Sequence, residues 1–444
     1  MDGQLVEQDA EPFIPRPESL ARSEVEDEAS QRLAIRKELV LVLMLASVQF
    51  TSIVDFMIVM PLGPQLMRVL GLTPNQFGRI VSSYTIAAGC AGFIASFVMD
   101  RFGRKSAFLT LYAGFLMGTL LCGMAWNYPT LLAARVATGV FGGILGGLAL
   151  AIVGDAVPES RRGRATGMLM SAFAIASVVG IPVGLKLGTD YGWQTPFLIL
   201  AGLGLPVLIL AIRVLPPLRG HIRHGEPASI GRRTLDMFGH ANHIRAFALT
   251  VAMMFGGFSV IPYIPVYLVN NAGIREDQLF WVFVSGGLLT LVGAPLIGRA
   301  ADRFGKLRVF RFVASTTVLL LIAMTNLGPV AIGTAAAVFG CLMLSNAGRM
   351  VPAMAMITGS VEPSKRGGFM SANSAVQHLA AGIAADAGGL ILSKSADGSI
   401  LHFERVGWFA AAFTIVSLWL AGRLRAARPS EPYPAVLAQP SSSR

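Results

Sequence analysis

Long, predominantly apolar runs recur along the whole chain, and they constrain its fold more than any other feature. Residues 39–62, 80–99, 131–153 and 410–421 are four examples. About 20 consecutive apolar residues cross the hydrocarbon core of a bilayer as one helix. Because lipid leaves backbone polar groups without water, these runs predict an all-α integral membrane protein. The charged fraction agrees, since it is only 14% here and about 25% in a soluble domain.

Twelve such segments are present, and each predicts one transmembrane helix. Their approximate spans are 38–62, 76–99, 105–126, 129–153, 165–187, 194–214, 246–270, 279–300, 307–327, 329–350, 369–393 and 407–424. The acidic, Glu- and Pro-containing stretch 1–37 predicts a disordered tail. A long polar stretch separates six spans from six. We therefore expect a bundle over 38–214, a central loop over 215–245, a second bundle over 246–425 and a tail over 426–444.

The basic residues are divided unevenly between the two sides of this layout. With the N-terminus in the cytoplasm, 29 of the 36 Lys and Arg residues fall on the cytoplasmic side, and Arg135 lies within a span. The other six are Arg68, Arg79, Lys186, Arg275, Lys394 and Arg405. Since basic loops stay in the cytoplasm, the count predicts a plasma (inner) membrane protein with both termini cytoplasmic. The net charge of +11 then reflects topology and the lipid bilayer, not nucleic-acid binding.

Two short charged motifs occur once in each half of the chain. Asp-Arg-Phe-Gly occupies 100–103 and again 302–305, and PESRRG at 158–163 corresponds to EPSKRG at 362–367. The two offsets, 202 and 204 residues, are nearly equal. Two matches at nearly one offset predict an internal duplication. We therefore expect two pseudo-symmetric six-helix bundles that are related as parallel repeats.

These loops resemble those of the major facilitator superfamily. That family's loop between helices 2 and 3 reads close to G-x-x-x-D-R-x-G-R-K/R, and this chain reads SFVMDRFGRK and GRAADRFGKL. Positive charge that only anchors the loops would explain the basic residues but not the repeated Asp and Gly, of which Gly103 permits a tight turn or a positive φ. The resemblance implies the major facilitator fold, with gating loops formed by Asp100, Arg101, Gly103, Arg104, Lys105, Gly298, Asp302, Arg303 and Gly305.

Within that family the sequence looks most like the drug–proton antiporter branch and its sugar-efflux-like permeases. Helix 1 carries VDFMIVMPLGPQL, helix 4 carries RVATG and helix 5 carries GIPVGLKLGTDYGW. In helix 5, Ile181 and Leu185 depart from that branch's usual motif. The resemblance implies a secondary transporter that exports a small organic or amphipathic molecule in exchange for protons. Uptake by symport or facilitated diffusion is the alternative, and a membrane sensor is a third hypothesis.

Asp55 and Arg135 are charged residues isolated within apolar spans. An ionisable residue inside a membrane is energetically expensive, so each is a candidate functional group. Helix 1 runs outward and helix 4 begins outside, which places Asp55 ~10 Å and Arg135 ~9 Å below the outer surface. At matching depths, the two residues either couple proton movement to transport or form a static ion pair between two helices.

Helix 5 carries small residues at intervals of four: Gly180, Gly184 and Gly188. This spacing lets two membrane helices approach closely. Pro182 in the same segment adds a kink and frees a backbone carbonyl. The glycine stripe serves either simple packing or a pliable face between the two halves.

Polar residues in the second half are candidates for a substrate cavity. On helix 11, Asp386 aligns with Pro182 of the first half, and Asn373 and Gln377 lie nearby. Asn373 and Gln377 share a helical face, whereas Asp386 lies opposite Gln377. Asp386 is therefore either a second titrating or cation-attracting site or part of a structural hydrogen bond. On helix 7, the aromatic residues that either contact substrate or pack are Tyr263 and Tyr267.

Several kinds of catalytic motif are missing from the sequence. It has no nucleotide-binding phosphate loop and no nucleophile elbow. Two His-x-x-His pairs, at 221/224 and 240/243, have no supporting acid or thiol cluster, so we expect no metal site. The sequence thus predicts no enzyme and no cofactor, and it predicts a monomer that is driven by an ion gradient.

Overall fold

The computed structural model describes residues 17–98, 102–216 and 240–427. Within these residues the chain forms twelve long helices. They are α1 (Pro17–Ile58), α2 (Pro74–Val98), α3 (Arg104–Gly123), α4 (Tyr128–Ala156), α5 (Glu159–Tyr191), α6 (Thr195–Val214), α7 (Ala241–Asn270), α8 (Leu279–Phe304), α9 (Lys306–Thr325), α10 (Ile332–Gly359), α11 (Arg366–Ile391) and α12 (Phe403–Arg423).

Eleven of these helices in the described ranges are long and apolar enough to cross a membrane. The helix not among them is α11, which contains Asn373, Gln377, His378 and Asp386. Its 26 residues extend ~39 Å, which exceeds the ~30 Å thickness of the hydrocarbon core. The twelve-span prediction is therefore consistent with the structure, although hydropathy alone recovers eleven spans.

Short elements interrupt or connect the long helices. The helix Gly63–Val69 joins α1 to α2. A π-helical turn, Ala176–Gly180, lies within α5, and a 3₁₀ turn, Ile261–Tyr263, lies within α7. Further 3₁₀ turns precede α8 and α11, at Glu276–Gln278 and Pro363–Lys365. Strands β1 (Ser393–Lys394) and β2 (Ile400–Leu401) pair antiparallel before α12, with Ser393 opposite Leu401.

The predicted disordered tail is partly wrong, because α1 already begins at Pro17. Residues 17–37 are rich in Ala, Glu, Leu and Arg, which are strong helix formers, so the helix extends outward from the first span. Residues 1–16, 217–239 and 428–444 lie outside the described residues. The remainder of the predicted tails and most of the central loop fall there.

Equivalent helices of the two halves pack in the same way. In the first half α1 packs on α5 and α6, α2 packs on α4, and α3 packs on α6. In the second half α7 packs on α11 and α12, α8 packs on α10, and α9 packs on α12. The halves meet along α2 with α11 and along α5 with α8, which are again equivalent pairs. This confirms two pseudo-symmetric six-helix bundles.

The apolar core shows how the two bundles meet. At the end where α1 stops and α2 begins, one buried cluster includes Leu66 and Phe77 of the first half and Ile264 and Phe403 of the second. At the opposite end each half has its own separate cluster. We call these the closed end and the open end. An ion pair between Arg68 and Glu276 also joins the halves at the closed end.

Candidate functional site

Asp55 of α1 and Arg135 of α4 form a fully buried ion pair near the closed end. The Arg135 Nη1 donates to Asp55 Oδ2 at 2.8 Å and to the Asp55 carbonyl oxygen at 3.2 Å. Thr119 of α3 donates its hydroxyl to the other carboxylate oxygen at 3.0 Å. Neither charged side chain has any exposed surface. The predicted match in depth therefore becomes a direct contact.

An aromatic stack connects this pair to the other half. The Arg135 guanidinium carbon lies 4.5 Å from the centre of the Tyr84 ring. Tyr84 stacks on Phe56 at 5.1 Å between ring centroids, and Phe56 stacks on Phe258 of α7 at 6.2 Å. Because Phe258 belongs to the second half, a movement of Arg135 can reach the contact between the halves through three rings.

The burial of the pair limits its chemistry in this conformation. Removing one partner of a buried ion pair costs roughly 3–5 kcal/mol, because the other charge remains unpaired in a poor solvent. Arg135 Nε and Nη2 already have no hydrogen-bond partner among the described residues. Proton exchange at Asp55 therefore requires another conformation that admits water. A static ion pair would need no such conformation.

The first gating loop is paired with neighbouring helices at the open end. Arg104 Nε lies 3.1 Å from Asp155 Oδ2 at the end of α4, and Lys105 donates to the Ile212 carbonyl oxygen at 2.7 Å. Asp100 and Arg101 lie outside the described residues. Gly103 has φ −63°, so of the two alternatives, a tight turn or a positive φ, the positive φ is not adopted here. Its extended conformation instead places it as the residue before α3.

The second gating loop differs from the first. Gly305 has φ +94°, which favours glycine because a side chain would strain the backbone. Asp302 and Arg303 are exposed, and neither forms an ion pair within the parts of the chain that the structure describes. Position 359, which is 204 residues after Asp155, is Gly359. The second half therefore lacks the acid that Arg104 contacts in the first. Gly298 lies four residues before Asp302, and a Cβ added there would make an ordinary contact with Val351.

The second pair of repeated motifs also forms ion pairs at the open end. Arg161 makes a 2.8 Å contact with Glu38 and thereby links α5 to α1. In the second half Lys365 contacts Glu362 at 2.9 Å, three residues away. The hydrogen bond from Lys365 holds the pKa of Glu362 below its ordinary value. The motif thus links two helices in one half and stays local in the other.

The glycine stripe of α5 packs within its own half. Side chains added at Gly180 and Gly184 would meet Val54 and Ile58 of α1, and one added at Gly188 would meet Leu62, just after α1. In the second half, α8 contacts residues 181–191 of α5 and also the π-helical turn just before Pro182. There the Ser177 carbonyl faces Gly287 of α8, so close that a Cβ on Gly287 would lie 2.8 Å from it. The stripe therefore packs against the first span, and the π turn is one of the contacts between the halves.

The structure does not bring the five predicted cavity residues together. Tyr263 donates to the Ala385 carbonyl at 2.5 Å, and Tyr267 donates to the Leu327 carbonyl at 2.9 Å; both are buried in the closed-end core. Asn373 accepts a 2.7 Å hydrogen bond from Thr250 within the second half. Gln377 is half-buried. The hydrogen bonds of Tyr263, Tyr267 and Asn373 join α7 to other elements of the second half, so these three side chains are used in packing the bundle.

Asp386 lies on a different surface. It lines a cleft of about 440 Å³ between α2, α4 and α11, together with Arg79, Ser82, Ser83, Leu132 and Val136. Arg79 Nε is 3.9 Å from Asp386 Oδ1, so the two halves contribute one charge each. The sequence analysis treated Arg79 only as a basic residue on the outer side, so it did not predict the contact with Asp386.

Arg349 is a buried cation that the sequence analysis missed. It donates to Asn346 Oδ1 at 2.7 Å, to the Met253 carbonyl at 3.1 Å and to Thr414 Oγ1 at 3.3 Å. No carboxylate pairs with it within the described residues. The basic-residue count placed it on the cytoplasmic side because it is one residue from the predicted end of span ten. With Arg349 removed from that side, 28 of the 36 remain there.

Metal ligands do not cluster in the described part of the chain. His221 and His224 lie outside the described residues. The rings of His240 and His243 lie 5.1 Å apart between centroids, tilted by 43°, at the start of α7.

Comparison with known proteins agrees with this architecture. The multidrug resistance protein MdtG of Serratia proteamaculans is 28% identical over 285 residues, covering 61% of this chain and 67% of that protein. A chloramphenicol efflux pump of Mycobacterium tuberculosis is 26% identical over 350 residues, covering 76% of this chain and 82% of the pump. The crystal structure of a D-xylose–proton symporter superposes with a TM-score of 0.71 at 17% identity, covering 87% and 97%.

The family itself follows from a match to its sequence model. The model of the Major Facilitator Superfamily matches residues 45–274 and again 246–441, once for each half. The fold of two six-helix bundles agrees with the superposition on the symporter. The chain therefore belongs to the Major Facilitator Superfamily and is a multi-pass membrane transporter, not an enzyme.

Proposed function

We propose that this transporter exports a small organic or amphipathic molecule in exchange for protons. The observation that carries the proposal is the buried pair of Asp55 and Arg135, 2.8 Å apart. An ionisable residue inside a membrane protein marks a proton relay or a substrate path by default. The names of two relatives, a multidrug resistance protein and a chloramphenicol efflux pump, favour export.

The conformation suits the loading step of an exporter. With the predicted orientation, the closed end faces outward and the open end faces the cytoplasm. A monomer in the plasma (inner) membrane would then receive its substrate from the cytoplasm. To release it outside, the α2–α11 and α5–α8 contacts must change and the Arg68–Glu276 pair must break.

Coupling follows from the competition of a proton with Arg135 for the Asp55 carboxylate. With Asp55 ionised, Arg135 is held against Asp55 and the Tyr84 ring. A proton that arrives from outside neutralises Asp55 and releases Arg135. The displacement reaches Phe258 of the second half through the rings of Tyr84 and Phe56. The proton thus biases the equilibrium between the two conformations by population shift.

Symport is the second candidate, because the superposed structure is a D-xylose–proton symporter. Everted membrane vesicles with an acidic interior separate the two functions. An antiporter accumulates its substrate inside such vesicles, and the accumulation ends when the pH gradient is collapsed. A symporter instead moves the substrate out with the protons. A panel of sugars and of cationic and neutral amphiphiles would identify the substrate. Outward movement, or accumulation that survives collapse of the gradient, would contradict the proposal.

A further inference from the structure

We propose that the cleft between α2, α4 and α11 binds a phospholipid whose headgroup carries both a phosphate and a primary ammonium. Arg79 would contact the phosphate, and Asp386 would contact the ammonium. The two side chains lie on either side of the seam between the halves, 3.9 Å apart. The proposed site is separate from the buried pair of Asp55 and Arg135.

The cleft lies on the surface that faces lipid. On α11, Asp386 sits between Ile383 and Leu390, which are on the same helical face and are 52% and 61% exposed. On α4, Val136 at the cleft wall is 42% exposed. Exposed apolar side chains on a membrane-spanning bundle contact acyl chains. Asp386 is therefore a carboxylate at the lipid boundary.

Both charges lack hydrogen-bond partners at the depth of lipid headgroups. The Asp386 carboxylate has no hydrogen-bond partner among the described residues; its Oδ1 is buried, but the side chain is 32% exposed and lines the cleft, where an ammonium can reach it. The Arg79 side chain is 55% exposed, and its one ion-pair contact in the described chain is too long for a hydrogen bond. Each residue is five positions from the closed end of its helix, or ~7 Å along the helix from that end.

The chemistry of the two groups selects the headgroup. Arg79 offers a planar set of donors that matches phosphate oxygens. Asp386 needs a donor, which a primary ammonium supplies and a choline headgroup does not. Deeper in the cleft, Ile86, Ala87 and Val136 form an apolar wall. Ile86 is seven residues beyond Arg79, or ~10 Å toward the membrane centre, which suits an acyl chain.

A lipid held in this way would favour one conformation. Arg79 belongs to the first half and Asp386 to the second, so both contacts exist together only while α2 packs against α11. A ligand that binds one conformation more tightly shifts the population toward it. The lipid would therefore stabilise the closed end.

Native mass spectrometry of the full chain in detergent tests the proposal. The probes are palmitoyl-oleoyl phosphatidylethanolamine, phosphatidylglycerol and phosphatidylcholine. We expect the ethanolamine lipid to bind most tightly, and Arg79→Ala and Asp386→Asn each to weaken it roughly tenfold, because each removes a charge-assisted hydrogen bond. Lys186→Ala is the matched control, since Lys186 is also five residues from the closed end of its helix but pairs with Asp190 elsewhere. It should bind as the unmodified chain does.

Two further arms keep the test decisive. Val136→Trp fills the cleft without changing a charge, and it should also abolish preferential binding even where a charge variant folds poorly. Glycerophosphoethanolamine, which has the headgroup without acyl chains, should bind far more weakly than the lipid. Equal binding of the three lipids, unchanged binding in Arg79→Ala, or equal affinity for the acyl-free headgroup would each overturn the proposal.

Discussion

The Arg104 guanidinium lies 3.1 Å from the Asp155 carboxylate, whereas the equivalent of Asp155 in the second half is Gly359. The duplicated loop motif therefore forms its ion pair with the helix-4 equivalent in one half only. The loop motif is present in both halves, but its acidic partner on the fourth helix is present only in the first half. The gating function of the two loops should be unequal for this reason.

We expect Arg104→Gln and Asp155→Asn each to slow transport by up to about fivefold, because a partly exposed ion pair contributes at most ~1 kcal/mol. Lys306→Gln, at the position equivalent to Arg104, should leave the rate unchanged. Substrate efflux from cells with matched protein levels measures the effect. Equal slowing by all three substitutions would show that these residues act as topological charges.

Replacement of Gly180 by Ala should destabilise the protein by about 1–3 kcal/mol, because overpacking forces neighbouring side chains from their positions. The added Cβ would lie 3.1 Å from Phe50 and still closer to Val54. Gly167→Ala, on the same helix with no heavy atom within 4 Å, is the control and should be neutral or slightly stabilising. Thermal unfolding in detergent compares the two variants. Equal melting temperatures would contradict the packing role of the stripe.

Replacement of Gly287 by Ala should weaken the α5–α8 seam. The new Cβ would meet the Ser177 carbonyl at 2.8 Å and the Val178 Cα at 2.9 Å. Backbone atoms cannot move aside as a flexible side chain can, so the conformation with the closed end sealed should lose population. Spin labels at positions 163 and 367 lie one on each half at the open end. The share of molecules in which the two labels are close together, with the open end shut, should then increase.

Gly333→Ala in α10 is the control for that measurement, since a Cβ there would meet no heavy atom within 4 Å. It should leave the distance distribution unchanged. The same distribution in Gly287→Ala would mean that this seam does not limit the change of conformation.

Orientation is open to a direct test with alkaline phosphatase fusions, which are active only outside the cytoplasm. A fusion at residue 230, in the central loop, should be inactive. Fusions at residues 273 and 328, in the loops after α7 and α9, should be active. The expectation follows from the excess of basic residues on one side, which is 28 against 6 once Arg349 is removed. The reverse activities would place the open end outside and contradict loading from the cytoplasm.

The sequence predicted the features that depend on periodic composition and on repetition. Hydrophobic runs located the helices, since a membrane helix needs an apolar surface all round, and the repeated motifs revealed two halves. Depth counting along α1 and α4 brought Asp55 and Arg135 together, because rise per residue in a helix is fixed. The residues' role in coupling stays a prediction.

Side-chain direction was much harder to predict. Asp386 was expected in a substrate cavity but lies in the cleft between α2, α4 and α11, because the rotation of α11 depends on its packing against α2. Arg349 escaped notice because a span boundary is uncertain by several residues. Gly103 and Gly305 occupy the same motif position, yet only Gly305, which directly follows the last residue of α8, has a positive φ.

Coupling and static pairing at the buried pair predict different stabilities. A coupling carboxylate is neutral during part of each cycle, so the fold must tolerate Asp55→Asn. A static pair predicts that Asp55→Asn and Arg135→Gln each lose roughly 3–5 kcal/mol and that the double variant recovers it. Expression and thermal unfolding of the three variants compare these outcomes. We expect Asp55→Asn to have nearly normal expression and unfolding temperature, and Arg135→Gln to be the less stable of the two single variants.

The most direct measurement is the pH-driven accumulation of substrate by everted vesicles that contain Asp55→Asn. The amide keeps the shape of the side chain but cannot exchange a proton. We predict no accumulation in response to an acidic interior, while downhill exchange of substrate continues. Asp190→Asn, which alters an exposed carboxylate of the same end, should retain full accumulation. Full pH-driven accumulation in a well-expressed Asp55→Asn protein would contradict the assignment of the buried pair as the coupling site.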